Sequence, residues 1–381
     1  MEDFGFPVCD LSSAERGEEL RSLYYDHTQY IDFQEFLNHL HDLPKRKRKV
    51  KKSELSVNGR VVADSMERYL AAEGESSSAL KQALVTPRHY LIYKDPRITR
   101  DGKHFQLGTF CHMAFLQPDL FGKVRVEPKL GRNTTKGMIG LIEWYWEQLG
   151  IAPEYDLRGM KMQELTRTLL ELEGRFADAG LQRVTEDDAT KIDIIRKTFK
   201  TYGGGILPEL LRLADAETSF YGVDPSTGLK VKIRPDAMLL EENVGANIIV
   251  SFKTTSSDTI EGFARDAARY KYDLSEGMYL DVASHITGRQ FVGTIMVVLQ
   301  TVEPWQVFVL WWSPEDLESG KYKYRQAMEV IAQCREKRSF PGYDARAEQG
   351  AHGIIQFDLP KYARLALPEQ NIETANTTDN A

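Results

Sequence analysis

The sequence predicts an α/β fold in which helices flank a central mixed β-sheet, with a helical part N-terminal to the sheet. Apolar residues recur at helical spacing up to about residue 215, and an alternating pattern of period two replaces this spacing afterwards. A further helical stretch then separates two groups of strands. Hydrophobic residues make up 42% of the 381 residues, which is enough for one large domain or two modest ones.

The helical part is predicted from the residues that precede the sheet. A helix begins near Ser78 and ends before Pro87, and residues 107–121 place apolar side chains at helical spacing with His112 beside them. Further helices are predicted over residues 137–150, 160–177 and 184–201. The triplet Gly203-Gly204-Gly205 ends the last of them, and we interpret it as a hinge or turn because it lacks the Lys and Ser/Thr of a phosphate-binding loop.

The sheet is predicted from five short segments. The predicted strands are 217–223, 229–240, 248–252, 291–299 and 306–312. The third, Ile-Ile-Val-Ser-Phe, is an apolar run of the type that is buried on both faces. Helices over residues 258–284 and from 314 to about 335 complete the mixed order of helices and strands.

Seven basic residues lie close together before the regular pattern begins. They are Lys45, Arg46, Lys47, Arg48, Lys49, Lys51 and Lys52. We predict that they form part of a basic N-terminal arm (1–75), poorly ordered or loosely helical, that contacts DNA phosphates. The alternatives are a nuclear address in a eukaryotic cell and a solvated linker that carries counter-charge. The body is predicted to span 76–366, and the polar tail 367–381 is predicted to be disordered.

Composition restricts the class of protein. The formal net charge of −7 and the 28% of charged residues exclude a collagen or a coiled-coil rod, and no apolar run is long enough for a membrane helix. The acidic start does not resemble a signal peptide. Cys9, Cys111 and Cys334 lie far apart without a CxxC pair, so we expect a soluble protein of a reducing cytoplasm. A nucleotide-hydrolysing function is disfavoured because no phosphate-binding loop occurs.

Three charged residues fall at the ends of predicted strands. Glu217 begins the first strand, Asp236 lies on the second, and Lys253 ends the buried third strand. Adjacent strand ends would bring two carboxylates and an ammonium together, and Mg²⁺ prefers such oxygen ligands. A Mg²⁺ ion beside a lysine lowers the pKa of a water and neutralises charge on a phosphate. The alternative is that Asp236 lies in a turn and Lys253 lies on the surface.

Several segments together resemble a known family. They are Arg234-Pro235-Asp236, Ile248 to Thr255, Tyr270-Lys271-Tyr272, Tyr279-Leu280-Asp281, Ser78-Ala79-Leu80, Pro87 to Tyr90, Leu107 to His112, Leu116-Gln117-Pro118, Phe340 to Tyr343 and Leu359 to Ala363. In this order they resemble the PD-(D/E)XK nucleases, and within them the RecE-like (exodeoxyribonuclease VIII-type) branch of phage and prophage exonucleases. The resemblance covers about residues 76–366.

The resemblance implies a restriction-endonuclease-like core and a set of site residues. His112, which alone would be interpreted as a core histidine, would surround a metal ion with Glu217 and Asp236. The ion would be Mg²⁺, with Mn²⁺ as the alternative. The backbone carbonyl of Phe252 would add a ligand, Lys253 would position or activate the attacking water, and Tyr272 would line the site. The resemblance also implies a ring-like homo-oligomer around double-stranded DNA ends and a single-strand annealing partner protein.

Two residues depart from the family pattern. Ser251 lies two residues before Lys253, at a position where the family has an acid. Ser275 lies near the position of the family's glutamine, and Glu276 is beside it. Serine is a neutral and poorer Mg²⁺ ligand, so Ser251 marks a weak or vacant ligand position. Three natural explanations are open: Glu241 or Glu242 replaces the acid, the enzyme is weakened, or the fold only binds DNA. A substitution made deliberately to inactivate the protein is a fourth.

The sequence therefore predicts a Mg²⁺-dependent exodeoxyribonuclease that resects linear duplex ends for phage-type recombination in a bacterial or phage-infected cell. The alternative is a catalytically weakened or inactive nuclease fold that binds DNA ends or a protein partner.

Overall fold

The computed structural model describes residues 29–41, 43, 47–98, 106–154 and 156–358. Its helices are α1 (Phe33–His41), α2 (Met66–Ala71), α3 (Ser77–Ala83), α4 (Pro87–Tyr93), α5 (Gln106–Leu116), α6 (Pro118–Phe121), α7 (Thr135–Leu149), α8 (Met162–Asp178), α9 (Glu186–Thr201), α10 (Ile206–Leu213), α11 (Glu241–Val244), α12 (Ile260–Arg269), α13 (Tyr272–Thr287) and α14 (Pro314–Glu336). Among the helices of these residues, none is both long and apolar enough to cross a membrane.

The strands form one central sheet and two small ones. They are β1 (Gly59–Ala63), β2 (Val124–Glu127), β3 (Gln182–Thr185), β4 (Asp215–Ala216), β5 (Thr218–Val223), β6 (Lys230–Ile233), β7 (Ala237–Leu239), β8 (Asn247–Thr255), β9 (Phe291–Gln300) and β10 (Val307–Trp311). The central sheet has the order β10-β9-β8-β7-β4, with β8 parallel to β9 and the other neighbours antiparallel. The predicted α/β fold with a mixed sheet is confirmed.

Strand β8 is the central strand, and its two faces belong to different cores. Ile248, Val250 and Phe252 pack among apolar residues of α5, α9 and α10. Ile249 faces the opposite way and packs with residues of α3, α13 and α14. Because successive side chains of a strand alternate between its faces, Ser251 and Lys253 lie on the α13 face. The near-continuous apolar run that predicted this strand therefore reflects burial on both sides.

The predicted helix over residues 258–284 is two helices in the structure. Lys271 adopts a left-handed conformation, with φ of 51°, between the end of α12 and the start of α13. This conformation is unfavourable for a residue with a side chain and interrupts the helical hydrogen bonds. The break starts α13 at Tyr272, which places that ring beside the end of β8.

Strand β1 connects the N-terminal part to the body. It lies within residues 1–75, and it pairs antiparallel with β5, from Gly59 opposite Gly222 to Ala63 opposite Thr218. The domain limits 1–75, 76–366 and 367–381 stay a prediction, since parts of the first range and the whole tail lie outside the described residues.

Helices α7 and α8 follow each other in the chain and pack together around a core of their own. Leu141, Tyr145, Leu165 and Phe176 are among the buried residues of their shared core. The parallel pair of β2 and β3 lies next to these helices in the chain, and neither strand was predicted from the sequence. Both strands are only four residues long, and Val184 is the one residue in them that is buried, so they carry no clear apolar alternation.

Candidate active site

Two carboxylates are held on neighbouring segments at one end of the central sheet. Asp236 comes directly before β7, and Glu217 lies between β4 and β5. The backbone N–H of Glu217 donates to the carbonyl oxygen of Asp236 at 3.0 Å. The backbone N–H of Phe252, on β8, donates to Oδ2 of Asp236 at 2.6 Å. The first contact fixes the backbone of Asp236 and the second fixes its carboxylate.

Helix α5 supplies the third donor. Nε2 of His112 lies 2.8 Å from Oδ1 of Asp236, and Nδ1 lies 3.5 Å from Oε1 of Glu217. Gly108 allows this approach, because a Cβ there would lie 2.9 Å from the Thr254 hydroxyl of β8. One ligand atom from each of His112, Glu217 and Asp236 lies within 4.8 Å of the others. The structure therefore brings three predicted residues together.

A buried guanidinium orients Glu217. Arg234 donates from Nε to Oε2 of Glu217 at 2.9 Å. Its Nη1 donates to Asp64 and to the Ser219 hydroxyl. Its side chain is only 4% exposed. Oε1 of Glu217 is buried and accepts no hydrogen bond from the residues that the structure describes. Arg234 was found from the sequence only as part of a motif, because Asp64 lies 170 residues away in the chain and no local pattern pairs Arg234 with Ser219.

The charges of the site shift one another's pKa values. Burial alone would lower the pKa of His112, but the hydrogen bond and charge of Asp236 outweigh it and raise that pKa. Burial opposes ionisation of Asp236 as well, yet Lys253 and His112 keep its pKa below the ordinary value. The pKa of Lys253 is raised in spite of burial, chiefly by Asp236 and Glu276. The lysine is therefore an ammonium at neutral pH.

Lys253 faces the carboxylate cluster from β8. Its Nζ lies 3.7 Å from Oδ2 of Asp236 and donates to the carbonyl oxygen of Phe252 at 3.2 Å. Nζ also lies 5.6 Å from the ring centroid of Tyr272, and Nζ of Lys81 lies 5.3 Å from the same centroid. Lys81, on α3, was not predicted as a site residue because a single lysine in a helix carries no sequence signal.

Ser251 takes no part in the cluster and contacts a buried acid instead. Its hydroxyl donates to Oε2 of Glu276, on α13, at 2.6 Å. Both residues are fully buried, and within the described part of the chain Oε1 of Glu276 has no hydrogen-bond partner. Burial raises the pKa of Glu276. Ser275 is buried on the same helix.

The structure does not favour replacement of the missing acid by Glu241 or Glu242, which stays a prediction. Glu242 forms an ion pair with Arg289 at 2.8 Å, and the backbone N–H of Glu241 donates to the side chain of Asn247. Asn247 begins β8, four residues before Ser251. At ~3.3 Å per residue, Asn247 lies roughly 13 Å from Ser251 along the strand, so the contacts of both acids are near the opposite end of β8.

The donor set fits a hard divalent cation. Carboxylate oxygens suit Mg²⁺ or Mn²⁺, the imidazole nitrogen suits Mn²⁺ better than Mg²⁺, and Oε1 of Glu217 is a buried acceptor without a hydrogen-bond donor among the described residues. Burying such an acceptor is costly unless something compensates it. His112, Glu217 and Asp236 are therefore the residues that would hold the ion. The carbonyl of Phe252 accepts from Lys253, so its role as a further ligand stays a prediction.

The basic segment lies along the edge of the sheet near this site. Lys45 and Arg46 fall outside the described residues. Lys47 and Lys52 both pair with Asp215 of β4, at 3.1 and 3.4 Å. The other basic residues of the segment are exposed, and they are Arg48, Lys49 and Lys51.

Comparison with known proteins gives one family. Residues 76–350 match the model of the family described as "PDDEXK-like domain of unknown function (DUF3799)", which is more than half of the chain. No curated protein matches the chain. Among solved structures, it is similar to the crystal structure of a candidate exonuclease from Eubacterium rectale, with 12% identity and a TM-score of 0.32 over 70% of this chain and 97% of that one. This likeness is distant, so the site rests on the chain's own geometry.

Proposed function

Because the chain belongs to the family of PDDEXK-like domains (DUF3799), we propose that it is a divalent-metal-dependent deoxyribonuclease that degrades duplex DNA from its ends. The predicted PD-(D/E)XK superfamily is confirmed by this match. The observation that carries the proposal is the meeting of His112, Glu217, Asp236 and Lys253 at one end of the sheet. The RecE-like branch stays a resemblance.

Some residues of the site would bind the cation, and Arg234 orients one of them. His112, Glu217 and Asp236 would hold the cation, and Arg234 keeps the Glu217 carboxylate turned toward them. When bound, a divalent cation in such a site supplies positive charge for phosphate oxygens and lowers the pKa of water. The ion is Mg²⁺ in this proposal, with Mn²⁺ as a substitute.

Lys253 acts through its charge. Since its pKa is raised, the ammonium keeps its proton at neutral pH, and in this proposal it acts as a fixed positive charge rather than as a general base. It stabilises negative charge that develops on the phosphate and orients the attacking water by donating to it. The Tyr272 ring beside Nζ favours the charged form of the lysine.

The finer parts of the proposal rest on the resemblance of ordered motifs. They are an exonuclease that acts on linear ends in phage-type recombination, a homo-oligomer around the duplex, and a single-strand annealing partner. The exposed basic residues beside β4 support a path for the DNA backbone along that edge.

A second candidate function is favoured by one observation. Ser251 occupies the position of the motif acid, so a weakened or inactive nuclease fold that binds DNA ends would show the same family match. Cleavage and retention of DNA distinguish the two candidates.

The test is a gel assay on linear and covalently closed circular duplex DNA with Mg²⁺, Mn²⁺ or EDTA. We expect loss of linear but not circular DNA, dependent on metal and abolished in Asp236→Ala, which also excludes a contaminating nuclease. Cleavage of the circle would contradict the exonuclease assignment. Retarded but intact linear DNA in both metals would favour the DNA-binding candidate.

A further inference from the structure

The side chains of Ser251 and Glu276 meet at a defined place in the site. Ser251 lies on the same face of β8 as Lys253, two residues before it, and is fully buried. An acid at this position would project toward α13. The structure instead has the Ser251 hydroxyl there, and this hydroxyl donates to the carboxylate of Glu276 on α13.

Several charged residues of the site lie near Glu276, and they are not an ion-pair partner of Glu276 alone. Its carboxylate interacts electrostatically with Lys253, Asp236 and Lys81. Its side chain is fully buried, and Oε1 has no hydrogen-bond donor among the described residues. A buried carboxylate without a full set of partners is costly. Such a cost is typical of a functional group.

The packing of α13 fixes where Glu276 lies. Gly277 and Gly320 let α13 and α14 approach backbone to backbone, because a Cβ at Gly277 would lie 2.5 Å from the N atom of Lys321. The adjacent Glu276 is thereby held against β8. The carboxylate is part of a rigid helix that closes one side of the site.

We propose that Glu276 supplies, from helix α13, the carboxylate that strand β8 lacks at Ser251. The acid of the site has moved from the strand to the helix, and the Ser251 hydroxyl holds it in place. The Glu276 carboxylate lies outside the group formed by His112, Glu217 and Asp236, and it completes the negative charge that faces the cation and Lys253. The inference rests on the proposed function.

The test exchanges the two side chains and measures metal binding separately from cleavage. The variants are Glu276→Gln, the exchange Ser251→Glu/Glu276→Ser, and the shorter exchange Ser251→Asp/Glu276→Ser. Binding of Mn²⁺ to the DNA-free full chain is measured by calorimetry, cleavage is measured on linear duplex, and circular dichroism checks folding. Asp281→Asn is the matched control, a carboxylate-to-amide change on the same helix whose carboxylate binds Tyr324 and Arg325.

We expect Glu276→Gln to weaken Mn²⁺ binding at least tenfold and to slow cleavage at least a hundredfold. At least one folded exchange variant should recover most of both, and Asp281→Asn should bind Mn²⁺ like the wild type. Wild-type binding and cleavage by Glu276→Gln would overturn the inference, as would folded exchange variants that recover neither. A wild-type protein that neither binds Mn²⁺ nor cleaves DNA would instead contradict the proposed function itself.

Discussion

Glu217 shows how single residues are adapted to the site. Its φ of 54° lies in the left-handed region, which costs a non-glycine residue on the order of 1 kcal/mol or more. Arg234 offsets this cost by holding the carboxylate, and the strained backbone directs Oε1 toward His112. The strain is found where the chain needs a carboxylate in a position that a regular strand would not provide.

The sequence predicted some of these residues and could not predict others. Glu217, Asp236 and Lys253 were found because they lie on or at the ends of predicted strands, and His112 was found through its motif. The sequence singled out Arg234 only as a residue of the motif, and it singled out Glu276 only as the neighbour of Ser275. Their partners come from distant segments, so no local pattern indicates that a guanidinium or a buried acid faces the site.

Lys81 provides a prediction about pH. Burial, reinforced by the nearby charge of Lys253, lowers the pKa of Lys81 to about 8, against 10.5 for the free side chain. The folded protein thus disfavours the charged amine, and this cost is fully present below pH 8 and disappears as the pH rises to about 10.5. Lys81→Met should raise the free energy of unfolding by about 1–2 kcal/mol at pH 7, after allowance for partial exposure.

The measurement is urea unfolding in EDTA at pH 7 and pH 9.5. The gain should be smaller at pH 9.5, because the wild-type amine is then largely neutral. Lys136→Met, at an exposed position, should change stability little at either pH. A gain for Lys81→Met that is equal at both pH values would contradict the assigned cause.

At the scale of elements, the contact of α13 with α14 positions one wall of the site. A Cβ at Gly320 would lie 2.0 Å from the carbonyl oxygen of Asp273, one turn before Glu276. The two helices therefore cannot approach this closely unless this position is glycine. Since Tyr272 and Glu276 are both carried by α13, this contact sets their distance from β8.

Gly320→Ala should destabilise the protein by about 1–3 kcal/mol, because the methyl group has no space and the helices must separate. Gly174→Ala is the control. Gly174 lies within α8 and has nothing within 4 Å of its hypothetical Cβ, so alanine there should stabilise by about 0.5–1 kcal/mol. Urea unfolding measures both, and equal effects of the same sign would contradict the packing account.

The elements themselves were largely predictable. Strands β5 and β8 to β10 and helices α7 to α9 follow from apolar periodicity, because each buries one face or both. The single predicted strand 229–240 is two strands of different sheets, β6 and β7, separated by Arg234-Pro235-Asp236. The break at Lys271 was not predictable, since a left-handed lysine has no sequence signal and apolar spacing continues through it. Strand β1 was missed because its pairing with β5 joins segments more than 150 residues apart.

At the scale of the whole molecule, an acidic protein is proposed to bind a polyanion. The net charge of −7 opposes DNA binding at long range, so local positive charge must provide it. The segment 47–52 is fixed to β4 by Lys47 and Lys52, which leaves exposed basic residues along the edge of the sheet.

Substituting Arg48, Lys49 and Lys51 by alanine should weaken binding to duplex ends and reduce the slope of log K against log salt by about 0.9 per lost phosphate contact. The loss should not depend on DNA sequence. The control replaces one arginine and two lysines on the α7–α8 side, namely Arg158, Lys136 and Lys161. Fluorescence anisotropy in EDTA at several salt concentrations measures both, and unchanged slopes in the first variant would exclude this edge as the DNA path.

The central claim is that His112, Glu217 and Asp236 hold a divalent cation. Its most direct test is a crystal structure of the full chain grown with Mn²⁺, with data collected at the manganese absorption edge. We predict an anomalous peak in contact with Nε2 or Nδ1 of His112 and with both carboxylates, and its loss in Asp236→Ala crystals. Anomalous peaks only elsewhere on the protein, with this cluster unchanged, would contradict the claim.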